Sequence, residues 1–206
     1  KNTKVWPFAS IGHYPQDLKY KGENNELIIG TDNKIRESVS INPGTMGGGG
    51  ITKIGNNCLF MLGSHIGHDC QLGNGIILAN NAALAGHVSL GDNVTIGGLS
   101  GVHQFVRIGE GAFIGALSMV AKDVIPFGMV YGERAKLMGL NLVGLRRSGT
   151  NNKQIKELKS VYDNIFFDQS TFNKKISNIN DINNPLVKKL INFLNADKDR
   201  AILSPK

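Results

Sequence analysis

A period of six runs through the middle of this chain. Counting from Ile54, every sixth residue is large and apolar: Ile54, Phe60, Ile66, Leu72, Leu78, Leu84, Leu90, Ile96, Val102, Ile108, Ile114 and Val120. Four positions after each stands a small or aliphatic residue, from Cys58 through Ala82 to Val124. A helix repeats at 3.6 residues and a strand alternates at 2, so a strict six suits neither alone. It suits a triangular solenoid in which each unit supplies one short strand and one corner. Three units then close a coil of 18 residues, and parallel coils stack at about 4.7–4.9 Å.

The same phase extends upstream. Val5 and Ile11 are six apart, and Ile29, Ile35 and Ile41 continue in register. Two breaks interrupt it. His13–Glu26 is polar, holds Pro15 and reads as a loop extruded from a corner; Asn42–Lys53 contains the run Gly47–Gly50 and shifts the phase by one residue. Loops that leave a rigid scaffold are where function concentrates. After Pro126 the hexads stop. Ile155, Leu158, Tyr162, Ile165 and Phe166 follow helical spacing, with Asn151 at the N-cap and Gln154 three residues later. A second helix is expected from Asn184-Pro185, with Leu186, Val187, Leu190, Ile191 and Leu194 as its apolar stripe. A shorter one on Phe172, Ile176 and Ile179 is expected over 171–182. The division is therefore a β-helix over 1–126, then a linker and helical domain over 127–206.

No run approaches 18 apolar residues, so no transmembrane segment is expected. The first residues, Lys1 to Phe8, lack the apolar core of a signal peptide. Cys58 and Cys70 are the two cysteines; they build no disulfide framework and fit a reducing, cytoplasmic setting. The net charge is +7, and positive charge is denser past residue 150, which suits an acidic partner. No recognised nucleic-acid motif accompanies it, so a nucleic-acid partner is not expected.

In an 18-residue coil, residues 18 apart stack. His68, Gly86 and Gln104 form such a column, with His65, His87 and His103 beside it, so four of the five histidines share one edge. A neutral imidazole is the side chain best suited to accept a proton near neutral pH. Asp69 could orient it if the corner turns between the two residues. Gly86, without a Cβ, permits close approach and exposes an N–H about one coil step from His68. Such an N–H could stabilise the oxyanion of an acyl transfer.

Five segments carry a specific resemblance: Gln16-Asp17-Leu18-Lys19-Tyr20, Ile35-Arg36-Glu37-Ser38-Val39, His65-Ile66-Gly67-His68-Asp69-Cys70, Asn80-Asn81-Ala82-Ala83-Leu84-Ala85-Gly86-His87-Val88 and Val102-His103-Gln104-Phe105. In order and spacing they resemble the acyl-ACP:UDP-N-acetylglucosamine O-acyltransferase family, over nearly the whole chain. The resemblance implies a left-handed parallel β-helix with a small C-terminal helical domain, assembled as a homotrimer with sites between subunits. It implies transfer of a 3-hydroxyacyl group from acyl carrier protein to the 3-hydroxyl of UDP-N-acetylglucosamine, the first step of lipid A biosynthesis, with no metal or other cofactor. By match to the motif, His68 is the base, Asp69 its partner and Gly86 the oxyanion donor. Asp17, Lys19 and His65 contact the sugar, and His87 and Gln104 line the cleft. Asn141 and Arg147 meet the nucleotide and pantetheine side, and Ala116 occupies the acyl-chain ruler. Lys153, Lys156 and Lys159, with Arg146 and Arg147, face the acidic acyl carrier protein.

The chain departs from the family at Val143, where an acidic residue is common, and at Ser148, where a basic one is. It does not begin with Met, and the family carries further N-terminal coils, so such coils are expected to be missing here. Rival readings are an acetyltransferase with an acyl-CoA donor, a zinc enzyme of the γ-carbonic anhydrase kind on His65, His68 and His87, and a non-catalytic scaffold. Acyl length, and whether the acceptor bears a 3-hydroxyl or a 3-amine, stay open.

Overall fold

The computed structural model describes residues 1–167, 183–196 and 199–205. Its body is a triangular prism of parallel β-coils. In each regular coil a strand pairs with the one three hexads further on, so Ala83 lies between His65 and Gly101, and Ile77 between Leu59 and Thr95. Every third strand joins the same sheet, giving faces of eight, six and five strands among the described residues. The large hexad residues and their small partners are all buried, in one continuous column along the axis.

Sharp corners make this possible. From Asn57 to Leu117 every sixth residue has a positive φ, between 57° and 69°. Only glycine adopts that region freely, and other L-residues enter it at roughly 1–2 kcal/mol. Asn, Asp and Gly fill many of these corners, but His87, Leu99, Phe105 and Leu117 fill others. Burial of the neighbouring aliphatic pair offsets that strain, at about 1.5–3 kcal/mol per large side chain.

Both phase breaks are insertions. Ile11 pairs with Ile41, where a regular coil would pair it with Ile29, so the segment after Gly12 adds two whole hexads and the phase survives. Ile29 pairs with Ile54, where a regular coil would pair it with Gly47, so the second loop adds one hexad and one further position, which shifts the phase. The strands that follow start earlier than the sequence suggests, at Glu26 and Ile51 rather than after Glu26 and Lys53. The two insertions flank one strand pair, which lengthens to four residues. Val5 and Ile11 continue the inward column on the first described coil and are partly exposed.

Past Pro126 the hexads end, but the sheet does not. Gly128–Tyr131 pairs parallel with Phe113–Ile114 and then antiparallel with Lys136–Leu140, extending the eight-stranded face. The sequence pattern points only to a linker there, because a single irregular hairpin has no period to detect. Three helices follow among the described residues: α1 (Leu142–Arg147), α2 (Asn152–Phe167) and α3 (Pro185–Asn195). The helix starts behave as read. Asn151 Oδ1 accepts from the Gln154 N–H at 2.9 Å, and Asn184 Oδ1 from the Leu186 N–H at 2.9 Å. Ile155, Leu158, Tyr162 and Ile165 of α2 pack with Val187, Leu190, Ile191 and Leu194 of α3 in the buried core. The helix expected over 171–182 lies outside the described residues. No helix among the described residues is long and apolar enough to cross a membrane.

The register predicts a specific cost. Leu84 is fully buried and stacks on Ile66 of the neighbouring coil. Leu84→Ala should destabilise by about 2–5 kcal/mol, read as a lower urea midpoint at unchanged slope.

Candidate active site

Two neighbouring columns on one corner carry five of the eleven candidate residues. The first holds His68, Gly86 and Gln104; the second, one residue on, holds Asp69, His87 and Phe105, all three with positive φ. That turn brings consecutive side chains together: His68 Nδ1 lies 2.7 Å from Asp69 Oδ2. A carboxylate can only accept, so Nδ1 carries the proton and Nε2 presents its lone pair.

Asp69 is held from every side. Its Oδ1 accepts from the Thr45 N–H at 2.8 Å and its Oδ2 from Thr45 Oγ1 at 2.7 Å, while its own N–H donates to Thr52 Oγ1 at 2.7 Å. The carboxylate is almost wholly buried. Thr45 belongs to the glycine-rich insertion, and a Cβ on Gly48 would overlap the Asp69 carboxyl. The run Gly47–Gly50 thus lets the loop close onto this carboxylate. Sequence reasoning marked the loop as functional but did not foresee Thr45 or Thr52.

Gly86 faces the imidazole. A Cβ there would stand 2.5 Å from both Cε1 and Nε2 of His68. The Gly86 carbonyl accepts from the Phe105 N–H, whereas its own N–H has no acceptor among the described residues. Phe105 stacks on His87 at 4.3 Å and 9°, and His87 meets His68 edge-on at 5.0 Å. His65 Nδ1 is 2.7 Å from Ser40 Oγ. Burial lowers the pKa of both His65 and His87, since loss of hydration penalises the charged ring. Nearby His68 adds to the lowering in each, and Asp69 opposes it at His87.

His65, His68 and Gly86 open onto a cleft of about 510 Å³ that also includes His103, Gln104 and Asn42. His87, expected to line it, is not part of its wall and reaches it only through its edge-on contact with His68. Asn42, which no sequence motif singles out, is buried and ties the extruded loop through His13 and Tyr14 carbonyls at 3.2 and 3.1 Å. Its Oδ1 has no partner among the described residues. From that loop Gln16 reaches the cleft. Asp17 is half-buried and close enough for its charge to act on His87. Lys19 is exposed on the same loop, its N–H bonded to Asp17 Oδ1 at 3.0 Å.

Asn141 and Arg147 do not join this group within one chain. They border a second cavity, about 570 Å³, with Phe113, Tyr131, Val143 and Ser148 against the eight-stranded face. The Asn141 side chain caps α1, accepting from the Gly144 N–H at 2.9 Å and donating to the Gly111 carbonyl at 3.0 Å. Ala116 is exposed beside Leu117, on the corner between the eight- and six-stranded faces. Among the described residues, His68, Asp69 and His87 offer ligand atoms within 4.8 Å of one another. His65 stands outside that set within one chain and is bonded to Ser40 instead.

Known proteins share this arrangement of sequence and fold. A sequence model described as UDP-N-acetylglucosamine O-acyltransferase, domain 2, matches residues 123–203, and a bacterial transferase hexapeptide model matches 87–122. The acyl-[acyl-carrier-protein]–UDP-N-acetylglucosamine O-acyltransferase of Paracoccus denitrificans is 52% identical over 202 residues, spanning 98% of this chain and 77% of that protein. The UDP-N-acetylglucosamine O-acyltransferase structure from Moraxella catarrhalis superposes with a TM-score of 0.94 at 40% identity, covering 98% of this chain and 79% of that one. The chain belongs to this O-acyltransferase family. Its prism is accordingly the left-handed form of the parallel β-helix. Matches to relatives from Anaeromyxobacter and Nautilia profundicola span 65% and 64% of those proteins. In this family setting the two departures become concrete: Val143 is exposed in the second cavity, and Ser148 closes α1 through its hydroxyl to the Leu145 carbonyl at 2.8 Å.

The lowered histidines set a pH dependence of stability. A histidine with a folded pKa below its ordinary value of 6.5 stabilises the fold above that value, and the contribution is lost as pH falls through the lowered one. Urea midpoints should therefore drop between pH 7 and pH 5, and His65→Gln should flatten that drop.

Proposed function

We propose that this chain, like the family it belongs to, moves a 3-hydroxyacyl group from acyl carrier protein to the 3-hydroxyl of UDP-N-acetylglucosamine, the opening reaction of lipid A synthesis, with His68 as general base. The observation that carries the reading is the His68–Asp69 pair, with the Gly86 N–H, which has no acceptor among the described residues, one coil step away.

In this mechanism His68 Nε2 takes the proton of the sugar hydroxyl as its oxygen attacks the thioester carbonyl. Asp69, fixed by Thr45, stabilises the imidazolium that forms. The Gly86 N–H receives the oxyanion of the tetrahedral intermediate, a contribution of about 2.7–4 kcal/mol for one such donor. Collapse breaks the C–S bond and leaves an ester, and the imidazolium gives its proton to the departing pantetheine thiolate, which leaves as the thiol. His65 and His87, kept neutral by burial, hold or orient hydroxyls rather than compete as cations. Asn42, with its free Oδ1, accepts from a sugar hydroxyl, while Asp17 and Lys19 close over the sugar from the extruded loop.

The same reading includes a homotrimer. The His68 cleft and the Asn141–Arg147 cavity lie apart within one chain, so a neighbour that docks its eight-stranded face near the His68 corner completes one site from two subunits. Leu99, Leu117 and Met138, each more than 60% exposed, supply apolar surface for that contact and for the acyl chain beside Ala116. Acidic acyl carrier protein meets Arg146, Arg147, Lys153 and Lys156 on the helical segment, while Lys159, expected to join them, is paired with Asp163. A cytoplasmic location is in keeping with two buried, unpaired cysteines, the thiol of Cys70 pushed up to about 12 by burial.

His68→Ala should lower turnover at least about 100-fold with an unchanged circular dichroism spectrum. Mass spectrometry of products from UDP-N-acetylglucosamine with mixed acyl carrier protein thioesters, against an acetyl-CoA control, tests the donor. An O-acylated nucleotide sugar formed from the carrier thioesters alone is expected. Product from acetyl-CoA, or undiminished turnover without His68, would overturn the reading.

A further inference from the structure

The C-terminal tail returns to the catalytic corner. It is anchored on Asp123, a fully buried carboxylate gripped by Arg107, whose N–H and Nε lie 2.9 and 2.8 Å from its oxygens. The Asp123 N–H donates to the Ala201 carbonyl at 2.9 Å and the Leu203 N–H to the Asp123 carbonyl at 2.7 Å. Ile202 thus forms an isolated parallel bridge with Asp123. This anchorage places the nearby Arg200 over two residues of the cleft wall. Its Nε donates to the Gln104 carbonyl at 3.1 Å, and its Nη2 lies 2.9 Å from His103 Nδ1.

The chemistry of that second contact is one-directional. A guanidinium only donates and does not lose its proton, so His103 Nδ1 must offer a lone pair. The proton of the neutral ring then sits on Nε2. The Gln104 carbonyl also lies 3.3 Å from the same Nδ1. Two acceptors cannot bond each other, and Arg200, which reaches both, satisfies them together. Without the guanidinium, the carbonyl is the neighbour that decides, and it favours the opposite tautomer, with the proton on Nδ1. Two protonation patterns of one ring are therefore selected by the residue that docks beside it.

We propose that Arg200 is a positioning residue that holds His103 as the Nε2–H tautomer, so that the cleft wall presents a hydrogen-bond donor to an oxygen of the bound substrate. The substrate part of this statement rests on the acyl-transfer reading; the tautomer does not. His103 lines the cleft and is exposed, so its Nε2–H is available to a ligand. Arg200 acts through it rather than on the reacting atoms.

The test uses the full chain labelled with ¹⁵N-histidine. Two-bond ¹⁵N–¹H spectra at pH 8 should show His103 as Nε2–H in the parent protein and as Nδ1–H in Arg200→Met. Arg200→Lys, which restores a donor, should return the ring to Nε2–H. In parallel, Arg200→Met should lower kcat/KM about 10-fold, the loss of one neutral hydrogen bond, and Arg200→Lys should recover most of it. A parent protein with His103 as Nδ1–H would overturn the proposal, and so would an unchanged tautomer in Arg200→Met, even with activity lost. Should the parent protein lack acyltransferase activity, the acyl-transfer reading fails while the spectra still decide the role of Arg200.

Discussion

Parallel pairing of each hexad with the third one after it is the constraint on which the site depends. It is imposed by the core, where a large aliphatic residue and a small one from every hexad stack on their own kind a coil away. A slip of one residue would turn each inward side chain outward, so the register is held by the whole column rather than by any contact at the surface. Once it is set, His68 must lie beside Gly86, and Asp69 beneath His87 and Phe105. The candidate catalytic groups are thus positioned by the buried column rather than by one another.

The corners turn that register into a site. A strand alone would direct His68 and Asp69 to opposite faces; the positive φ of 60° at Asp69 swings its carboxylate back under the imidazole. Burying a carboxylate this deeply is costly unless its lone pairs are filled. The glycine-rich insertion fills them, through the amide and hydroxyl of Thr45, and it comes that near because Gly48 has no side chain. Two departures from regular coil geometry, one at a corner and one in a loop, therefore combine to orient a single ring.

The fold was legible because its signal is repeated. Twelve hexads each state the same inward pair, and the caps at Asn151 and Asn184 are local patterns that carry their own hydrogen bonds. The hairpin over Gly128–Leu140 occurs once and was read as a linker. At the site, the stacking of 68 on 86 followed from arithmetic, and the glycine run drew attention to its loop. Thr45, Thr52 and Asn42 were not visible, since their roles arise from how far an insertion folds back, which no spacing encodes. Arg200 was equally hidden: it is far from His103 along the chain, and only the docked tail brings them together. The separation of Asn141 and Arg147 from the histidine cleft lies in the same class, a fact about faces of the prism rather than about motifs.

The central claim is that Asp69 keeps the proton on His68 Nδ1 and leaves Nε2 free to act as a base. Turnover of Asp69→Asn measures this most directly. An asparagine retains the acceptor for the Thr45 N–H, but its amide donates to Nδ1 and drives the proton onto Nε2. A fall in kcat of about 10³–10⁴-fold in a variant with parental thermal stability is the predicted result. A kcat within about threefold of the parent would contradict the account, since the ring would then work equally well in the wrong tautomer.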